Sequence, residues 1–182
     1  CYVTMDPSNT FVRDHVRAGG RACALEEGVN GEMITIYDQG KHIPLLWTHL
    51  VQATLEGQAR HNVQNAMMAA AVAYSMGIKL DAIRQGLRTF DTSFFQAPGR
   101  LNVFNKLPFK VIMDYGHNAH AVGMMAELAQ QLEGALGHFV SVLSGVHPAP
   151  TDLLTGRPRR LDREPGAGAA GGIGYGLLVL GA

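Results

Sequence analysis

The sequence predicts an α/β protein of two domains, and three observations point there. Segments rich in β-branched residues alternate with helical ones rich in Ala and Met, Pro98-Gly99 separates a helical stretch from a new strand pair, and residues 110–143 run strand, helix, strand in the order of a βαβ unit. With 47% hydrophobic and 16% charged residues among 182, the balance is globular and neither disordered nor coiled-coil. Fifteen Lys plus Arg against fifteen Asp plus Glu give no electrostatic reason for a nucleic-acid partner or an anionic membrane surface.

From Cys1 to about Tyr37 short apolar segments are separated by turns, with Met5 to Asn9 reading as a turn and Met33 to Tyr37 as a strand. Ile43 to Trp47 is a second extended segment, which Pro44 confines to a sheet edge or a strand start. Asn62 to Met76 predicts a helix, with Gly77 where a C-terminal cap belongs. Asp81 is placed to cap another helix, whose Ile83, Leu87 and Phe90 form one apolar face. Asp91 to Gly99 reads as a loop and a domain boundary. Beyond it, Arg100 to Asn105 and Lys110 to Tyr115 predict a hairpin joined by Lys106 to Phe109. Ala121 to Leu132 follows as a helix with Val122, Met125, Leu128 and Leu132 on one side, and His138 to Leu143 as a strand.

Periodicity then stops. Residues 146–182 hold eight of the 22 glycines, with five Ala, four Pro and four Arg. The expectation for 145–182 is a disordered or loosely packed tail, or a shift of reading frame in the coding sequence. The uncharged stretch 166–182 is 17 residues long and rich in glycine, short of the ~20 apolar residues a membrane span needs. The chain opens on Cys1 with no charged-then-apolar leader and reads as part of a longer protein. Two cysteines without C-x-x-C spacing argue for a reducing, cytoplasmic setting and against a multi-cysteine zinc site.

Three clusters can carry chemistry: Arg60-His61-Asn62-Val63-Gln64-Asn65, Pro98-Gly99-Arg100 and Asp114-Tyr115-Gly116-His117-Asn118. His61 and Asn62 are also what a plain helix N-terminus uses, Asn being a favoured cap. Asn65 offers a donor and an acceptor on one amide, the pair that reads an adenine edge. Arg100 is either a surface cation on a strand or a guanidinium fork beside a phosphate. Asp114 ends the apolar run Val111-Ile112-Met113, so it is either a helix cap or a carboxylate at a strand's carboxyl end, placed for a ribose hydroxyl or a cation. The spacing of Asp114, His117 and His120 also admits a metal, although no second ligand pair lies nearby, and no metal site is assigned. There is no G-x-S-x-G, and neither cysteine has an activating neighbour in sequence.

Together, Arg-His-Asn-x-x-Asn-Ala at 60–66, Pro-Gly-Arg-Leu-Asn-Val-Phe at 98–104 and Asp-Tyr-Gly-His-Asn at 114–118 resemble the three late motifs of the Mur ligase superfamily. Within it the Mur-ligase-like half of the cyanophycin synthetases is most similar, from Met5-Asp6-Pro7 and Gly19-Gly20-Arg21-Ala22 to about residue 144. Gly116 stands where that family usually has alanine, and Ala119 where it has proline. The resemblance implies that residues 1–98 are the C-terminal part of a central nucleotide-binding domain and 99–144 the start of a truncated, Rossmann-like C-terminal domain.

It also implies an ATP-dependent ligase: ATP phosphorylates a carboxylate, an amino-acid amine attacks the acyl phosphate, and phosphate leaves. The cyanophycin reading makes arginine the amino acid and a cyanophycin-type peptide with aspartate side chains the acceptor. By the same resemblance Asn65 contacts adenine with His61 and Asn62 in support, Arg100 sits near the nucleotide, and Asp114 holds the ribose. His117 and Asn118 face the amino-acid substrate as the catalytic pair, and the full-length enzyme can be a homo-oligomer. No G-x-x-x-x-G-K-[ST] occurs, so the triphosphate cradle and most of the Mg2+ site are expected outside this chain, and the isolated chain is expected to be inactive. The alternative is a non-catalytic remnant that holds a nucleotide or a partner.

Overall fold

The structure is a computed structural model and describes residues 1–106, 110–116, 118–133, 139–144 and 175–180, the last two stretches by their backbone. It is mixed α and β and divides into two compact units, Cys1–Asp91 and Thr92–Ala182.

The first unit is a four-stranded sheet in the order β1 (Tyr2–Thr4), β2 (Ala22–Gly28), β3 (Gly31–Asp38), β4 (Lys41–Trp47), with β1 parallel to β2 and the other pairs antiparallel. Gln39 and Gly40, at φ 49° and 76°, make the two-residue turn between β3 and β4, a backbone that glycine adopts without steric cost. Pairs such as Cys23 with Ile36 and Leu25 with Ile34 put apolar side chains on one face. There they meet Val63, Met67, Ala70 and Ala71 of α2 (Arg60–Ser75) and Ile83 of α3 (Leu80–Thr89). The alanines let the helix backbone approach the sheet, and each large side chain buried here contributes about 1.5–3 kcal/mol.

Helix α1 (Thr10–Arg17) has no counterpart among the predicted elements; Asn9 caps it by accepting the Val12 N–H at 3.2 Å. Pro44 lies, as expected, on the edge strand β4, and the register slips opposite it between Ile34 and Thr35. Arg84 of α3 reaches over that edge, donating to Leu45 O and Pro44 O at 3.0 Å each. Helix α2 begins at Arg60, two residues before the expected Asn62, and Gly77 follows it at φ 82°. Lys79, not Asp81, is the cap position of α3, and Asp81 pairs instead with Arg84 at 3.0 Å. Ile83 and Leu87 face the core, whereas Phe90 lies past the helix in extended backbone and is about half exposed, so it does not extend the apolar face.

In the second unit the strand order is β5 (Asn102–Phe104), β6 (Lys110–Asp114), β8 (Tyr175–Leu180), β7 (Phe139–Ser144), all neighbours being antiparallel. Helix α4 (Ala119–Glu133) follows β6 and buries Leu128 and Ala129, while Ile112 is the fully buried residue of β6. Strands β6 and β7 point the same way, as the βαβ reading requires, but they are not neighbours: β8 lies between them. Residues 175–180 therefore differ from the expected disordered tail. Their run Tyr-Gly-Leu-Leu-Val-Leu is apolar enough for a strand paired on both sides. The expected connection at 107–109 and the tail at 145–174 lie outside the described residues.

Candidate functional site

The first unit carries His61, Asn62 and Asn65 on the opening turns of α2. The chain enters this helix from a fixed loop in which Leu55, Glu56 and Gly57 all have positive φ (50°, 60° and 88°). The buried Thr54 hydroxyl holds that loop, lying 2.8 Å from Thr48 O and 2.7 Å from Val51 O and accepting the Gly57 N–H at 3.0 Å. Arg60 then pairs with Glu32 at the start of β3. Because this entry sets the first helical residue, the cap position falls on Ala59, which has no side-chain cap bond, and Asn62 is not the N-cap its residue type suggested. Its Nδ2 instead donates to Ala53 O at 2.7 Å, tying helix to loop, and its Oδ1 accepts from Asn65 Nδ2 at 3.3 Å. Asn65 is exposed, and His61 is half-buried beside it on the same turns.

The second unit carries Arg100, Asp114 and Asn118. Pro98 and Gly99 (φ 71°) are the central residues of a turn closed by Arg100 N–H on Ala97 O at 3.1 Å, the role a Pro-Gly pair fits by its fixed and positive φ values. Arg100 is thus in a turn and not in the predicted strand. It is exposed, with its guanidinium carbon 4.8 Å from the centroid of the Tyr115 ring. Leu101, at φ 52°, is a buried non-glycine residue in left-handed backbone, and its N–H donates to Asp114 Oδ2 at 3.0 Å. Asp114 ends β6 and caps no helix; α4 is capped by Asn118, whose Oδ1 accepts the Ala121 N–H at 2.9 Å. His117 lies outside the described residues. Among the described residues no three His, Cys, Asp or Glu gather in a way that could hold a metal ion.

Sequence reading missed two participants, Tyr115 under the Arg100 guanidinium and the buried Asn102. Asn102 Nδ2 donates to Thr92 O at 2.6 Å and Ala97 O at 2.9 Å, and its Oδ1 accepts the Gly99 N–H at 2.7 Å. The available signal was the polar residue one step after Leu101, where an apolar run would have been ordinary.

Two further polar groups lie on the first unit. Glu26 accepts from Thr35 Oγ1 at 2.7 Å, from Tyr37 and from His42 Nε2 at 2.9 Å. Burial alone would raise its carboxyl pKa, but the three hydrogen bonds hold it below the ordinary value, while burial and this carboxylate push Tyr37 up to about 12. Asp38 accepts from Arg21 at 3.0 Å and from Tyr74 at 3.1 Å, and Arg21 also lies over the Tyr74 ring. The Cys23 thiol is buried and pushed up to about 12 by desolvation, so it is no thiolate nucleophile.

No family model matches the chain. It is 36% identical over 121 residues to the cyanophycin synthetase of Trichormus variabilis, covering 64% of this chain and 12% of that protein. Over 137 residues it is 30% identical to the cyanophycin synthetase of Crocosphaera subtropica, covering 73% of this chain and 15% of that protein. The Escherichia coli UDP-N-acetylmuramoyl-tripeptide--D-alanyl-D-alanine ligase is 35% identical over 96 residues, 53% of this chain and 20% of that one. The chain thus spans less than a sixth of these cyanophycin synthetases, and the relatives of both kinds are ligases. The order of the three motifs, the relatives' names and the extent of the matches agree in placing this chain's similarity with the Mur ligases and, over most of its length, with the cyanophycin synthetases.

Proposed function

We propose that this chain supplies nucleotide and substrate contacts of an ATP-dependent acid–amino-acid ligase of the cyanophycin synthetase type. In that reaction a carboxylate oxygen attacks the γ-phosphorus of ATP, releasing ADP. An arginine amine then attacks the carbonyl carbon of the acyl phosphate, loses a proton, and expels phosphate with the electrons of the broken C–O bond. Asn65 takes the adenine edge through its amide, steadied by Asn62 and with His61 beside it. Asp114 takes the ribose hydroxyls with the carboxylate oxygen not spent on Leu101, and Arg100 takes a phosphate. His117 and Asn118 face the amino acid, whose acceptor is an aspartate side chain.

The observation that carries this reading is the Asp114–Leu101 bond, which holds a carboxylate at the end of β6 beside a cation displayed on Tyr115. A carboxylate that accepts and a guanidinium that donates suit a ribose hydroxyl and a phosphate. Among the described residues no three carboxylate or imidazole groups gather as a Mg2+ site would need, and the greater part of that ion's shell is proposed to come from the rest of the ligase. Phosphate release with ATP, arginine and a cyanophycin primer is expected to show no turnover by this chain alone, and robust turnover would refute that. A second reading, a nucleotide- or partner-holding remnant without chemistry, is favoured by the loss of periodic sequence after residue 144. Calorimetry with ATP on the wild type, Asn65→Ala and Asp114→Ala tests the binding that both share, and no heat from any of the three removes both.

A further inference from the structure

Asn102 is 1% exposed, and its amide is occupied at both ends. Three carbonyl oxygens, of Thr92, Ala97 and, at 3.5 Å, Arg100, lie at its nitrogen end, and the Gly99 N–H lies at its oxygen end, so the partners fix which end is which. Aspartate cannot donate to the carbonyls, and leucine can make none of these bonds. The segment this amide gathers is the turn that presents Arg100, closing with Gly99 and Leu101 in positive φ on either side of it.

Two consequences meet in that turn. The Leu101 N–H is aimed at Asp114 Oδ2, and the Arg100 guanidinium lies over Tyr115. Stacking on a ring uses the face of a guanidinium and leaves its N–H edge directed sideways, where an anion is met. We propose that Asn102 is a positioning residue that sets both the Arg100 guanidinium and the Asp114 carboxylate for one phosphorylated ribose ligand, with Tyr115 as the platform that orients Arg100. The ligand class rests on the nucleotide reading above; the positioning does not.

The test compares wild type, Asn102→Asp, Asn102→Gln and Tyr115→Leu at temperatures where each is folded by its thermal transition. Two quantities are read: the ring-current displacement of the Arg100 δ-methylene protons, and the dissociation constant for Mg·ATP. Wild type is expected to show displaced protons. Asn102→Asp is expected to lose the displacement as fully as Tyr115→Leu does, and to bind Mg·ATP about tenfold more weakly. Should Asn102→Asp fail to fold, Asn102→Gln, with both amide ends moved out by one methylene, is read in its place and is expected to change both quantities in the same direction. Unchanged displacement and affinity in a folded Asn102 variant would mean that Asn102 only closes a loop, and would overturn the proposal. A wild type that shows the displacement but takes no Mg·ATP refutes the nucleotide reading, and the proton shifts of the variants then decide the positioning claim alone.

Discussion

A side chain placed between two elements acts through what it joins. Asn62 links α2 to the loop before it and also steadies Asn65, so Asn62→Ala should lower the stability of the first unit by about 1 kcal/mol, read from its urea midpoint. Asn65 is exposed, and its alanine variant should move that midpoint little. Glu26 makes stability depend on acid. Its folded pKa lies below the ordinary 4.5, so its contribution is present above that value and is lost as pH falls through the lower folded one. Urea midpoints from about pH 6 to about pH 3 should fall less steeply for Glu26→Gln than for wild type. Residue types announced Asn65, Arg100 and Asp114 as candidates, because amide, guanidinium and carboxylate have recognisable chemistry. They could not announce that Asp114 would accept from Leu101, or that Asn118 would cap α4 in its stead, since both depend on where a turn places a backbone N–H.

Among the elements, α2 was legible because Ala and Met favour helix and a glycine follows it, and β3 because its β-branched run sits between two turns. Helix α1 was not: its 8 residues hold Phe11, Val12 and Val16 as their apolar members, too short a run for a helical period to stand out, and Phe11 is left 63% exposed. Strand β2, Ala-Cys-Ala-Leu-Glu-Glu-Gly, has poor intrinsic strand propensity and is fixed by pairing on both sides. The join between α1 and β2 is tight. A methyl group on Gly20 would overlap the His15 ring, which lies against Tyr2 and shares a hydrogen bond with Arg21 O. Gly20→Ala should therefore destabilise the first unit by about 1–3 kcal/mol. Adding His15→Ala should recover part of that loss in a double-mutant cycle of chemical denaturation.

On the scale of the whole molecule, the two units meet in sequence between Asp91 and Thr92, at the head of the loop Asp91 to Gly99. Asn102 ties that loop to the second unit through its bonds to Thr92 O and Ala97 O. Such a bond crosses ten residues and leaves no periodic trace. Strand β8 was hidden by the glycine-rich composition around it. Ending the chain after residue 174 should leave β6 and β7 unpaired along their facing edges, and hydrogen exchange in 110–114 and 139–144 should then accelerate against the full chain. Unchanged protection would show that β8 contributes nothing to that sheet. The Arg84 guanidinium on β4 has a different kind of consequence. Exposed sheet edges recruit other chains into aggregates. Here the edge carries a proline that offers no N–H, and the carbonyls of Pro44 and Leu45 already hold a charged donor, so a passing strand finds neither partner at that point. One arginine from a neighbouring helix thus guards this edge against the self-association that an open four-stranded sheet invites.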